Sequence, residues 1–164
     1  MSLLENIPAL NQRFNLTDPK LIDFHPTLLS MMDIRKEDQV FFNHIEHFDQ
    51  VISGYSHLGH SYVAVHHGRP LAVFGVIPLW GGVAEAWLIT DSKLGSIARP
   101  FHRVTKLMFD LFMSELCLFR LQVTVHTGNV RAIKWIKTLY FQEEGRLRKY
   151  GPDKEDFFMF SRIK

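Results

Sequence analysis

The stretch "VTVHTGNVRAIKWIKTLYF", from Val123 to Phe141, passes from an apolar strand-like run through a turn into a helix within a few residues. Such a junction constrains the chain strongly, because strand and helix bury apolar side chains with different periods and one conformation cannot satisfy both. Gly128 lets the strand turn tightly, and Asn129 carries the side-chain oxygen that satisfies orphan N–H groups at a helix start. Sheet and helix must therefore share one core, and the expected class is α+β.

The other segments fill in an order around this junction. "LIDF" predicts a short first strand after a mixed, irregular segment over residues 1–20. "TLLSMMDIRKEDQ" and "VFFNHIEHFDQVISGY" predict two helices, with Val40, Phe41, Ile45, Phe48 and Ile52 able to share one side. "SYVAVHH", "LAVFGVIPLW" and "VAEAWLIT" read as an antiparallel meander, turned by "GRP" and by Gly81–Gly82. In "FHRVTKLMFDLFMSEL", Val104, Leu107, Met108, Leu111, Phe112 and Leu116 recur at helical spacing. A strand, "FRLQVTVHT", and a helix, "NVRAIKWIKTLY", follow, and "EEGRLRKYG" with "KEDFFMFSRI" forms a closing hairpin. The order predicts a mixed central sheet of about six to seven strands flanked by about four helices.

This order, together with "VTVHTGNVRAIKWIKTLYFQEEGRLRKYG", resembles the GNAT superfamily of acyl-CoA-dependent N-acetyltransferases. Asn129, Ala132 and Phe141 stand where those proteins have an Asn at the helix mouth, an Ala in its first turn and a Gly-Phe pair at its end. "EEGRLR" is similar to a strand of the branch that acetylates ribosomal-protein termini. The resemblance implies a GNAT-like acyl-CoA N-acyltransferase fold over residues 1–164, acetyl-CoA as co-substrate and an amine acceptor that attacks directly. It implies Glu85 as a base acting through water, and backbone groups near Leu88 and Ile89 that hold the thioester. Residues 92–103, with Arg99, His102 and Arg103, would face the pyrophosphate, and Asn129 would meet the pantetheine arm where the fourth and fifth strands splay apart. Arg146, Arg148 and Tyr150 on the final hairpin would border the acceptor cleft and meet an acidic or phosphorylated substrate.

The residues leave alternatives open. Asn129 is explained as well by a helix cap alone, and Glu85 by an outward orientation or an arginine partner. The stretch aligned with the family's pyrophosphate loop, "RPFHRVTKLM", keeps Arg99 but puts Pro100, His102 and Val104 at the glycine positions, and Pro100 has no N–H to offer. Ile136 stands where many of these enzymes carry the tyrosine that protonates the leaving thiolate. Tyr140 lies one turn further on, at a family glycine, and reads as a packing residue. Such departures suggest either a divergent enzyme or a GNAT fold without catalysis, like the short GNAT-like virion or assembly proteins of tailed phages.

Composition excludes several classes. Lys and Arg number 19 against 17 Asp and Glu, a surplus too small to argue for nucleic acid as the main partner. Cys117 is the lone cysteine, so no intrachain disulfide can form; a reducing, cytoplasmic setting and a small buried hydrophobe are expected. "MSLLENIPAL" lacks the basic flank and apolar run of a signal peptide, and the most apolar stretch is broken by Pro78, Gly81, Gly82 and Glu85, so no membrane association is expected. The histidine pairs His44 and His47, His57 and His60, and His66 and His67 lack an accompanying HExxH or cysteine cluster, and no metal site is expected. "FFMF" fits either a core or a subunit interface, which leaves a homodimer open.

Overall fold

The computed structural model describes residues 2–164, apart from the side chains of residues 40–42. Strands β1 (Lys20–Asp23), β2 (His60–His66), β3 (Arg69–Trp80), β4 (Val83–Thr90), β5 (Arg120–His126), β6 (Gln142–Leu147) and β7 (Phe157–Ile163) form one seven-stranded sheet in the order β1-β2-β3-β4-β5-β7-β6. The helices are α1 (Ile7–Arg13), α2 (Lys36–His44), α3 (Phe48–Leu58), α4 (Ala98–Glu115) and α5 (Val130–Thr138). The expected α+β class and mixed sheet are present, with five α-helices in place of about four.

Several elements differ from the sequence reading. The segment over residues 1–20 contains α1, which Asn6 caps by accepting the Ala9 N–H and which carries Pro8 in its first turn. "TLLSMM" forms only a 3₁₀ turn over Pro26–Met31, and the helix begins at Lys36. His47, at φ +56°, breaks "VFFNHIEHFDQVISGY" into α2 and α3. The expected placement of Val40 and Phe41 lies outside the described side chains. Cys117 is exposed in the α4–β5 turn at φ +50°, because α4 ends at Glu115 and Leu118 takes the core position instead.

Two apolar layers hold the sheet. On one face α1, α4 and α5 cover a cluster that includes Leu10, Phe74, Met108, Phe112, Leu121 and Leu139. Along α4, Phe101, Val104, Met108 and Phe112 are buried at helical spacing, each burial stabilising by about 1.5–3 kcal/mol. On the other face the 3₁₀ turn and α3 cover Phe24, Leu29, Ile52, Val73 and Ile89. The β3–β4 turn is tight for a steric reason: Gly82 adopts φ +76°, and a Cβ there would lie 2.1 Å from the Phe119 ring.

The sheet consists of two well-zipped parts. β1 to β4 pair antiparallel in succession, and β7 pairs with β5 along its whole length, from Arg120↔Ile163 to His126↔Phe157. Between them, parallel β4 and β5 pair only at Val83↔Arg120, Ala84↔Leu121 and Glu85↔Gln122. Beyond Glu85 the two strands run apart.

Candidate active site

That divergence opens a cavity of about 260 Å³ whose walls come from both faces of the sheet. Successive residues of a strand point to opposite faces, so Glu85, Trp87 and Ile89 of β4 face α3, while Ala86 and Leu88 face α4 and α5. The lining mirrors this: Tyr55 and Ile52 from α3 on one side, Thr105 and Phe109 from α4 with Trp135 and Ile136 from α5 on the other. A ligand in the gap therefore reaches from one face of the sheet to the other.

The backbone of β4 is aimed into the gap. Thr90 donates its N–H to Asp38 Oδ2 at 2.8 Å and accepts the Arg35 N–H at 2.9 Å, although it stands opposite Ala72 of β3. Its peptide groups thus point away from β3. Because hydrogen-bonding direction alternates along an antiparallel ladder, Leu88 also presents its N–H and C=O to the gap, beyond the last β4–β5 partners at Glu85↔Gln122. Ile89 directs its backbone toward β3 and packs its side chain among Phe24, Ile52 and Val73. Of the two sequence-predicted thioester contacts, Leu88 has the free backbone groups.

Glu85 sits at the fork, half-buried and lining the cavity. Gln122 Nε2 donates to its Oε2 at 3.3 Å; it faces the cavity, and no arginine pairs with it among the described residues. Across the gap, Asn129 caps α5 by accepting the Ala132 N–H on Oδ1 at 3.1 Å, and it also lines the cavity. Cap and cavity wall coincide in one residue.

The predicted pyrophosphate segment lies at the start of α4. Ile97, at the N-cap, makes no side-chain cap bond, and Pro100 occupies the first turn. His102 lies on the same helical stripe as the cavity-lining Thr105 and Phe109, one turn nearer the N-terminus. Arg99 is exposed beside it. Arg103 turns elsewhere and donates to the Phe14 carbonyl at 3.1 Å. The described chain thus offers charge at this helix start in place of a glycine-lined backbone cradle.

The hairpin residues are peripheral. Only Arg146 lies within β6, and its Nε donates to Asp156 Oδ2 at 2.6 Å; Arg148 and Tyr150 fall in the following turn. Tyr150 touches the cavity indirectly, edge-on to Phe157 with ring centroids 5.3 Å apart. Ile136, at the position of the family's acid, is 4% exposed in the cavity wall. Tyr140 is 59% exposed at φ +67°, its hydroxyl accepting from Lys106 Nζ at 2.8 Å with the ammonium above its ring. It is a surface residue.

Four lining residues carry chemistry that the sequence did not signal. Asp38 of α2 holds both the Thr90 N–H and, at 2.6 Å, its hydroxyl; burial pushes its carboxyl above the usual range against those bonds. The Tyr55 phenol is pushed up by burial first and by the nearby Glu85 charge second. Trp87 has its indole Nε1 buried with no partner among the described residues. His126 accepts the Gly128 N–H on Nδ1 at 2.9 Å, which places the proton of its neutral ring on Nε2. Capping-type spacing, His126-x-Gly128, is the one local clue among these.

Outside the cavity, His66 and His67 at the β2–β3 turn both pair with Asp18, at 2.8 and 2.7 Å. No helix among the described residues is long and apolar enough to cross a membrane.

No protein-family model matches the sequence, and no curated protein matches it either. Solved structures do match in fold. A probable acetyltransferase superposes with a TM-score of 0.69 at 16% identity, covering 88% of this chain and 92% of that one. The ribosomal-protein-S5-alanine acetyltransferase of Vibrio fischeri gives 0.65 at 15% identity, with 88% and 92% covered. A GNAT-family acetyltransferase of Bacillus anthracis gives 0.67 at 10% identity, with 90% and 96% covered.

Proposed function

We propose that this chain, whose fold is that of the GNAT acetyltransferases, is an N-acetyltransferase that moves an acetyl group from acetyl-CoA to an amine. The observation that carries the proposal is the parting of β4 and β5 after Glu85↔Gln122, with a cavity through the opening. A zipped sheet would leave no room for a thioester; this one does. The residues fit the arm of the cofactor: free backbone groups of Leu88 on one wall, Asn129 on the other, and apolar Trp135 and Ile136 beneath.

Acetyl-CoA supplies an activated acyl group; overall the C–N bond forms as the C–S bond breaks, the neutral amine loses one proton and the thiolate gains one, an ammonium acceptor having first given a further proton to solvent. Glu85, at the fork on the α3 face, takes the amine proton through a water. The Leu88 N–H polarises the carbonyl, as a fixed donor in a half-closed site. Asn129 holds the arm, while at the start of α4 Arg99 meets the phosphates with side-chain charge and His102 with a ring N–H. Arg103, committed to Phe14, contributes at longer range, and Arg146, Arg148 and Tyr150 shape the outer rim.

The test is release of free thiol from acetyl-CoA in the presence of an amine, alongside thermal melting with cofactor. Binding to the folded state at about 100 times the dissociation constant adds about 2.7 kcal/mol of stability. No melting shift at millimolar acetyl-CoA removes this reading. It would then leave the second one, a GNAT-fold protein that binds a partner without catalysis, which Pro100 and Ile136 at two family positions favour.

A further inference from the structure

Resting on the acyl-transfer reading above, we infer that the acceptor is a small amine cation with an apolar body and no negative charge. The wall of the cavity on the α3 side decides this. Its described charged residues are Glu37 and Asp38 from the first turn of α2 and Glu85 from β4, and no lysine or arginine lines the cavity among the described residues. Residues 40–42, whose side chains are not described, are Val40, Phe41 and Phe42 and bring no charge.

Between these carboxylates the surface is aromatic and aliphatic. Tyr55 and Trp87 lie with ring centroids 5.2 Å apart, and Phe24 meets Trp87 edge-on at 5.7 Å, so the Trp87 ring is held on two sides. Rings so placed, with Glu85 and Glu37 nearby, attract an ammonium through their faces and through the carboxylates together. A carboxylate or phosphate on the acceptor would instead meet like charge in a partly desolvated cavity. The cavity of about 260 Å³ is shared with the thioester arm, which keeps the acceptor small. Arg146 and Arg148, expected to select an acidic substrate, lie outside this lining, and Arg146 is neutralised by Asp156.

Tyramine and tyrosine share ring, hydroxyl and amine and differ by one carboxylate, so calorimetric binding of each, without cofactor, isolates the inference. Tyramine is expected to bind at least about tenfold more tightly than tyrosine, and Glu37→Lys, a change on an exposed helix turn, is expected to shrink that ratio. Equal or tighter tyrosine binding overturns the inference, as does a ratio unchanged in Glu37→Lys. Absence of tyramine binding overturns it too; if acetyl-CoA still raises the melting temperature, acyl transfer survives alone. Tyramine binding without any acetyl-CoA effect keeps the amine site and removes acyl transfer.

Discussion

Glu85 and Gln122 are the last partners at which β4 and β5 remain paired, and the Gln122 amide touches the Glu85 carboxylate at 3.3 Å where the gap begins. The proposed base is thus fixed by the same pairing whose end creates the site. Glu85→Gln is expected to lower kcat by about 10² to 10⁴, the usual range for a general base, with the acetyl-CoA melting shift intact. Turnover measured at saturating cofactor checks it; undiminished turnover shows that another group takes the proton.

Asn129 caps α5 and, under the acyl-transfer proposal, has a second, separable duty toward the cofactor arm. Asn129→Ala removes the bond to the Ala132 N–H and is expected to cost about 1 kcal/mol in chemical denaturation. Asn129→Ser restores the cap, so its stability should recover while its acetyl-CoA affinity stays low. Full recovery of both would reduce Asn129 to a cap.

Tyr140 occupies a left-handed conformation that side chains disfavour by about 1–2 kcal/mol. Tyr140→Gly is expected to raise stability by about 1 kcal/mol, partly offset by the lost contacts with Lys106 and Arg162. Tyr140→Phe should leave thiol release unchanged, because the hydroxyl faces Lys106 on the surface. A large rate loss in Tyr140→Phe would restore it as a candidate acid.

Glu144 bonds Arg120 through both oxygens and also accepts from Ser161, and these bonds, Arg120 first, hold its carboxyl down to about 2. Its folded value lies below the unfolded one, so its stabilisation is present above about pH 4.5 and is lost as the pH falls toward 2. Melting temperatures of the wild type and Glu144→Gln should therefore differ at pH 6 and converge near pH 2. A gap that persists undiminished at low pH excludes the carboxylate as its origin.

Much of the fold was readable because β2, β3 and β4 are short apolar runs between clear turn signals, and because the Gly128–Asn129 junction marks where β5 becomes α5. Helix α1 was missed although Asn6 and Pro8 form a proper start signal; "ENIPALNQR" is too short for its periodicity to stand out. The insertion of β7 between β5 and β6 has no local signature, since a hairpin can dock by either strand. In the site, Glu85, Leu88 and Asn129, which the family resemblance singles out on that strand and junction, all line the cavity. Asp38, Tyr55, Trp87 and His126 were not, because their meeting depends on how α2, α3, β4 and β5 pack, which no spacing along the chain encodes.

Pro100 carries one more consequence. Under the acyl-transfer proposal, with a ring in place of a backbone donor, the nucleotide half of the coenzyme would be held by side-chain charge, an attraction that ionic strength erodes, whereas an uncharged pantetheine arm in the slot would be indifferent to salt. In concentrated salt such a protein would treat a truncated thioester, S-acetyl-pantetheine, almost as well as the full coenzyme.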